Sequence, residues 1–99
     1  MSSVLTQTEI SKKLEPVFSR YRVRKAVLFG SYGQNRATDK SDIDLFVDSG
    51  LNGLRFVGFL NDVQRAVQKP VDVIDARHIE KNSPVEHEIV RTGVTIYAQ

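Results

Sequence analysis

The chain contains no cysteine, which excludes a disulfide framework, a thiolate zinc site and a cysteine nucleophile. No window approaches the ~18 apolar residues that a membrane-spanning helix needs. The start, Met1 to Gln7, has no basic segment followed by an apolar one, so no leader is expected and the protein reads as soluble and cytoplasmic. An excess of one charge is missing as well. Fourteen basic against twelve acidic side chains leave a net charge of +2, a near balance rather than a strong field. Neither G-x-x-x-x-G-K-[ST] nor G-x-G-x-x-G occurs, so neither the usual NTPase loop nor a dinucleotide-binding fold is supported.

What is present fits one folded unit. The 99 residues are 40% hydrophobic and 26% charged, close to the averages of globular proteins. That length supports one hydrophobic core and leaves no room for a second substrate domain, so residues 1–99 are expected to form a single domain.

Thr6 followed by Glu9 makes a capping box, and Ile10, Leu14, Val17 and Phe18 then recur at helical spacing, predicting an amphipathic helix from near Gln7. Pro16 is expected to kink or divide it. The apolar run ending Ala26-Val27-Leu28-Phe29 predicts a buried strand stopped by Gly30. Ile43, Leu45 and Val47 alternate as a second strand, with Asp42, Asp44, Phe46 and Asp48 on its other face. Phe56, Phe59, Leu60, Val63 and Val67 share a face of a helix over 53–69 closed by Pro70, and a short strand over 71–75 follows. Ser83-Pro84-Val85-Glu86 is a helix start, Gly93 its stop, and 94–97 a last strand. The order predicts an α/β chain of the α+β kind, a mixed sheet with helices packed against it.

The chemistry sits in two places. In a strand, Asp42 and Asp44 present carboxylates to one side, roughly 6 to 7 Å apart. Two such charges raise each other's pKa unless a divalent cation lies between them, and hard oxygen ligands point to magnesium. Asp72 repeats the acid-then-apolar pattern in the third strand. If the two strands are neighbours, about 4.8 Å apart, the three acids form one site able to hold two metal ions for an in-line phosphoryl or nucleotidyl displacement. Gly30-Ser31 ends the first strand where glycine lets a bulky anion approach the backbone. A helical turn over 31–35 would aim free amides at phosphate oxygens.

These residues carry a resemblance. Gly30-Ser31-Tyr32, followed at a distance by Ser41-Asp42-Ile43-Asp44-Leu45 and then by Asp72 one helix later, resembles the signature of the DNA-polymerase-beta-like nucleotidyltransferases, most closely the minimal, MNT-type members. The resemblance implies that Asp42 and Asp44 bind the metals, that Asp72 completes the catalytic site, and that Gly30 and Ser31 hold the triphosphate of ATP. It also implies a partner. Minimal members are often the antitoxin of a two-gene pair, and some transfer AMP to a tyrosine of a HEPN-type toxin. Many members read Gly-Ser-Tyr-Ala-Arg-Gly, whereas this chain has Gly33-Gln34-Asn35. A neutral glutamine thus stands where arginine is usual, and Arg36 is the candidate to supply the charge.

Two other readings compete with an enzyme that needs a toxin or a second copy of itself to complete its open site. One is a non-catalytic module that neutralises a partner by covering it. The other is nucleic-acid binding through Lys12, Lys13, Arg20, Arg22, Arg24 and Lys25, against which stands the reading of these residues as a solvated face. His78 and His87 are expected at the surface, since neither has a matched acid or second histidine. Tyr32 either stacks on a base or packs on the sheet edge, and Tyr97 is expected to pack.

Overall fold

The computed structural model describes residues 4–99. The expectation about a leader falls partly on residues 1–3, outside the described residues. Along the chain run α1 (Gln7–Arg20), β1 (Lys25–Phe29), α2 (Gly30–Gly33), β2 (Ile43–Asp48), α3 (Gly53–Val67), β3 (Val71–Asp75), a 3-10 turn (Ala76–His78), α4 (Pro84–Thr92) and β4 (Val94–Ala98). The strands form one mixed sheet in the order β3-β2-β1-β4. β1 is antiparallel to both β2 and β4, and β2 is parallel to β3.

Local sequence explains most boundaries. The Thr6 side chain accepts from the Glu9 amide at 3.0 Å and the Glu9 carboxylate accepts from the Thr6 amide at 2.9 Å, the reciprocal bonds of a capping box. Pro16 does not divide α1, which is continuous from Gln7 to Arg20. The proline removes the donor for the Lys12 carbonyl, but Lys12, Lys13, Glu15 and Pro16 are all exposed, so water can take that carbonyl while Val17 and Phe18 stay in the core. The helix ends in a left-handed residue, Arg22 at φ 56°. The Arg22 and Val23 amides then donate to Ser19 and Phe18, a Schellman closure made without glycine. Ser83 caps α4 by accepting from the Glu86 amide at 3.2 Å.

The sheet is covered on both faces. On one, Ala26 and Leu28 of β1 and Ile43, Leu45 and Val47 of β2 pack with Ile10, Leu14 and Phe18 of α1 and Phe59 and Val63 of α3. Burying each of the two phenylalanines contributes about 1.5–3 kcal/mol. Tyr97 belongs to this packing, its ring 5.3 Å from that of Phe18. On the other face Val27 and Phe29 meet Ile89 of α4, with Phe46 and Ile74 beside them. Among the described residues no helix is long and apolar enough to cross a membrane.

Candidate active site

β2 shows strict alternation, with Ile43, Leu45 and Val47 buried and Asp44, Phe46 and Asp48 half-buried on the opposite face. Asp44 therefore lies on the face that α4 covers. The parallel register sets Asp44 directly opposite Asp72 of β3, and the antiparallel register sets it opposite Phe29, the last residue of β1. The expected neighbourhood of these strands is thus present. Asp42 precedes β2 and is exposed, as is Asp72.

Gly30 closes the site from the β1 side. Its φ is +70°, and a Cβ there would lie 2.5 Å from Asp44 Oδ2. Glycine is required twice at this position, by backbone conformation and by space. The Gly30 backbone therefore packs directly against the Asp44 carboxylate, an approach that a side chain would block.

No ion pair reaches Asp42, Asp44 or Asp72 among the described residues. The consequence appears on Asp44, whose carboxyl is pushed above its ordinary pKa, first by burial and then by the charges of Asp72, Asp42 and Glu88. A carboxylate that lacks counter-charge, with further acids around it, fits a divalent cation. Among the described residues no three acids or histidines are gathered into a finished metal cage. Magnesium does not need one, because it is commonly held by one or two carboxylates together with substrate phosphates.

The turn after β1 differs in part from expectation. α2 does begin at Gly30, but the Gln34 amide donates to the Gly30 carbonyl, Asn35 to Tyr32 and Arg36 to Ser31. The amides of residues 34 and 35 are therefore not phosphate donors. Ser31, half-buried, remains at the first turn, where amides lack intrahelical acceptors. Gln34 folds its side chain back so that Nε2 donates to the Gly30 carbonyl at 3.4 Å, while the Arg36 side chain is exposed. Tyr32 is only 2% exposed and belongs to the main core, which closes the base-stacking alternative in favour of packing. Its hydroxyl has no hydrogen-bond partner among the described residues.

Two residues escaped the sequence reading because they approach the site from α4. The Gly30 amide donates to Thr92 Oγ1 at 2.9 Å, and Thr92 Oγ1 donates to the Glu88 carbonyl at 2.7 Å. Glu88 is also the third acid acting on Asp44, after Asp72 and Asp42. Glu88 and Thr92 lie some sixty residues along the chain from Gly30, and no local pattern marks them. His78, beyond the far end of β3, and His87 are exposed. The six basic residues of the N-terminal third are exposed too, with Arg20 bonded to Asp62 and Arg24 to Asp48, each at 3.4 Å.

Comparison with known proteins bears on the family and the fold. Residues 12–99 match the family described as polymerase beta, nucleotidyltransferase. A Methanocaldococcus jannaschii protein named "Putative protein adenylyltransferase" is 34% identical over 68 residues, covering 67% of this chain and 73% of that protein. A second protein of that name from the same organism is 28% identical over 72 residues, covering 71% and 74%. Among solved structures, a toxin-antitoxin complex with AMP-PNP gives a TM-score of 0.74 at 22% identity, covering 90% of this chain and 73% of that one. The structure of a tri-AMPylated Shewanella oneidensis HEPN toxin in complex with MNT antitoxin gives 0.70 at 19% identity, covering 95% and 74%. At such identities these structures establish the likeness of fold.

Proposed function

Because the chain belongs to the polymerase beta nucleotidyltransferase family and has the minimal, MNT-type fold, we propose that it transfers AMP from ATP to a hydroxyl of a partner protein. The partner in this reading is a HEPN-type toxin, and the chain is its antitoxin, with residues 1–99 acting as one minimal domain. The observation that carries the reading is the pairing of Asp44 with Asp72 across β2 and β3, with the Gly30 backbone packed against Asp44 and no compensating cation among the described residues.

In this mechanism Asp42, Asp44 and Asp72 hold magnesium, which when bound neutralises charge on the alpha phosphate and on the departing pyrophosphate. Ser31 donates its amide and hydroxyl to phosphate oxygens, and Gly30 lets the turn that carries Ser31 sit directly against Asp44. Arg36, exposed at the end of the turn, reaches the outer phosphates in place of the arginine that Gln34 replaces. Asp72 is on β3, an edge strand, where a hydroxyl carried by another protein has access. The acceptor oxygen bonds to the alpha phosphorus as the bond to the beta-phosphate bridge breaks, and the hydroxyl proton passes to the Asp72 carboxylate.

The test is to incubate the protein with ATP, magnesium and the product of an adjacent HEPN-type gene, and to measure the partner's intact mass. An AMP-sized increment that disappears with Asp44→Asn is expected. The return of Gln34 onto the Gly30 carbonyl favours one other reading, a module that binds the partner without turnover. A stable complex with no increment would establish that alternative and end the catalytic one.

A further inference from the structure

We propose that Thr92 is a positioning residue for the nucleotide-binding turn, fixing the Gly30–Gly33 backbone against Asp44 through its hydroxyl. The proposal rests on the reading of Gly30-Ser31 as the phosphate-binding turn and names what holds that turn in place.

A four-residue helix has little stability of its own, because nucleation fixes several residues for a single hydrogen bond. α2 therefore needs an external anchor. β1 supplies one side, since α2 continues directly from Phe29. The other side is α4. Thr92 is buried, 5% exposed, and its hydroxyl bonds on two sides, accepting from the Gly30 amide at 2.9 Å and donating to the Glu88 carbonyl at 2.7 Å. Both bonds are directional, so the hydroxyl sets where Gly30 stands relative to the last turn of α4.

Gly33 reports the same closeness independently. A Cβ at Gly33 would strike the Thr92 carbonyl oxygen and come within 2.9 Å of the Leu28 carbonyl oxygen. Backbone thus meets backbone at the Gly33 end, the Thr92 hydroxyl holds the Gly30 end, and Thr92 is the α4 residue in each contact. At the Gly30 end the margin is small, since a Cβ on that residue would stand only 2.5 Å from Asp44 Oδ2. A shift of the turn by a fraction of an ångström changes how Gly30 seats against the Asp44 carboxylate, and the direction of the Ser31 donors. Thr92 touches none of the reacting groups itself.

Thr92→Val keeps the shape and removes the hydroxyl, whereas Thr92→Ser keeps the hydroxyl and removes the methyl. The measurement is the Kd for a fluorescent ATP analogue with magnesium, taken at a temperature where circular dichroism shows each variant fully folded. A merely structural role would lower Tm and leave the Kd of folded protein unchanged. The expected result is a Kd weakened at least about tenfold in Thr92→Val, with Thr92→Ser close to wild type. Should Thr92→Val prove too unstable, Thr92→Ala makes the same comparison against Thr92→Ser. An unchanged Kd in folded Thr92→Val, or equal weakening in Thr92→Ser, would overturn the assignment. Failure of the wild type to bind the analogue would instead overturn the nucleotide-binding reading, and this inference with it.

Discussion

The two ends of the β2–β3 pair carry aspartates in opposite circumstances. At the end where the strands begin, Asp44 faces Asp72 with Asp42 and Glu88 nearby, and Asp44 is held above its ordinary pKa by burial and by those like charges. At the end where they finish, Asp48 meets Arg24 at 3.4 Å and Asp75 meets Arg77 at 3.0 Å. Arg77 also bonds Asn52 at 2.8 Å and the Leu51 carbonyl, beside a cavity of ≈ 360 Å³. Its hydrogen bonds and charge hold Asp75 below the usual carboxylate range. Aspartate is thus stabilising at one end and left wanting a cation at the other. The contrast separates acids that hold structure from acids without counter-charge beside the glycine turn, and it is the latter that the proposed function assigns to a ligand.

The sharpest way to break this comparison is Asp44→Asn. If Asp44 belongs to the ligand rather than the fold, the substitution lowers AMP transfer on the order of 10³-fold and raises the thermal stability of the metal-free protein. The sign follows from linkage. A carboxyl whose pKa is raised by folding contributes stability that is present below its unfolded pKa and lost as pH rises through the folded one. At neutral pH the charged form therefore works against the fold, and asparagine removes that penalty. Thermal melts should show the variant a few degrees above wild type at pH 7, with the gap closing as the pH falls below the carboxylate range. A variant less stable than wild type at pH 7 would mean that Asp44 is structural.

Asp75→Asn tests the other end and should give the reverse result. Transfer is expected to be unaffected, while stability falls by about 1 kcal/mol in urea unfolding, a figure discounted for the exposure of the Arg77 partner. A depressed pKa contributes stability above the unfolded value that is lost as pH falls through the folded one. The difference between variant and wild type should accordingly be full at neutral pH and vanish in acid, the mirror image of Asp44→Asn.

Much of this contrast was legible in the sequence where it depends on neighbours along the chain. Ile43, Leu45 and Val47 fixed the face of Asp44, Thr6 with Glu9 fixed the start of α1, and Ser83 with Glu86 the start of α4. The acid-then-apolar pattern at Asp72 pointed to the strand that pairs with β2. Other features depend on contacts that close only in the fold. Nothing near Gly30 announces Thr92, and nothing near Asp75 marks it as paired until Arg77 is seen to turn back over Leu51 and Asn52. Left-handed Arg22 and Gln68 end their helices without the glycine that would have marked them. The wholeness of α1 through Pro16 depends on which flank faces water, a property of packing rather than of proline.

The smallest effect expected is at Arg24, and it limits how far the comparison extends. Its pair with Asp48 spans 3.4 Å, with the Arg24 side chain 63% exposed, so water already screens most of the attraction and fixing two flexible chains offsets part of the remainder. Arg24→Gln should change urea-unfolding stability by no more than ~0.5 kcal/mol and leave transfer untouched, and added salt should erase even that difference. A loss as large as that of Asp75→Asn would show that neutralisation across the whole far end, rather than the buried Asp75 and its enclosing arginine, balances the unneutralised acids around Asp44.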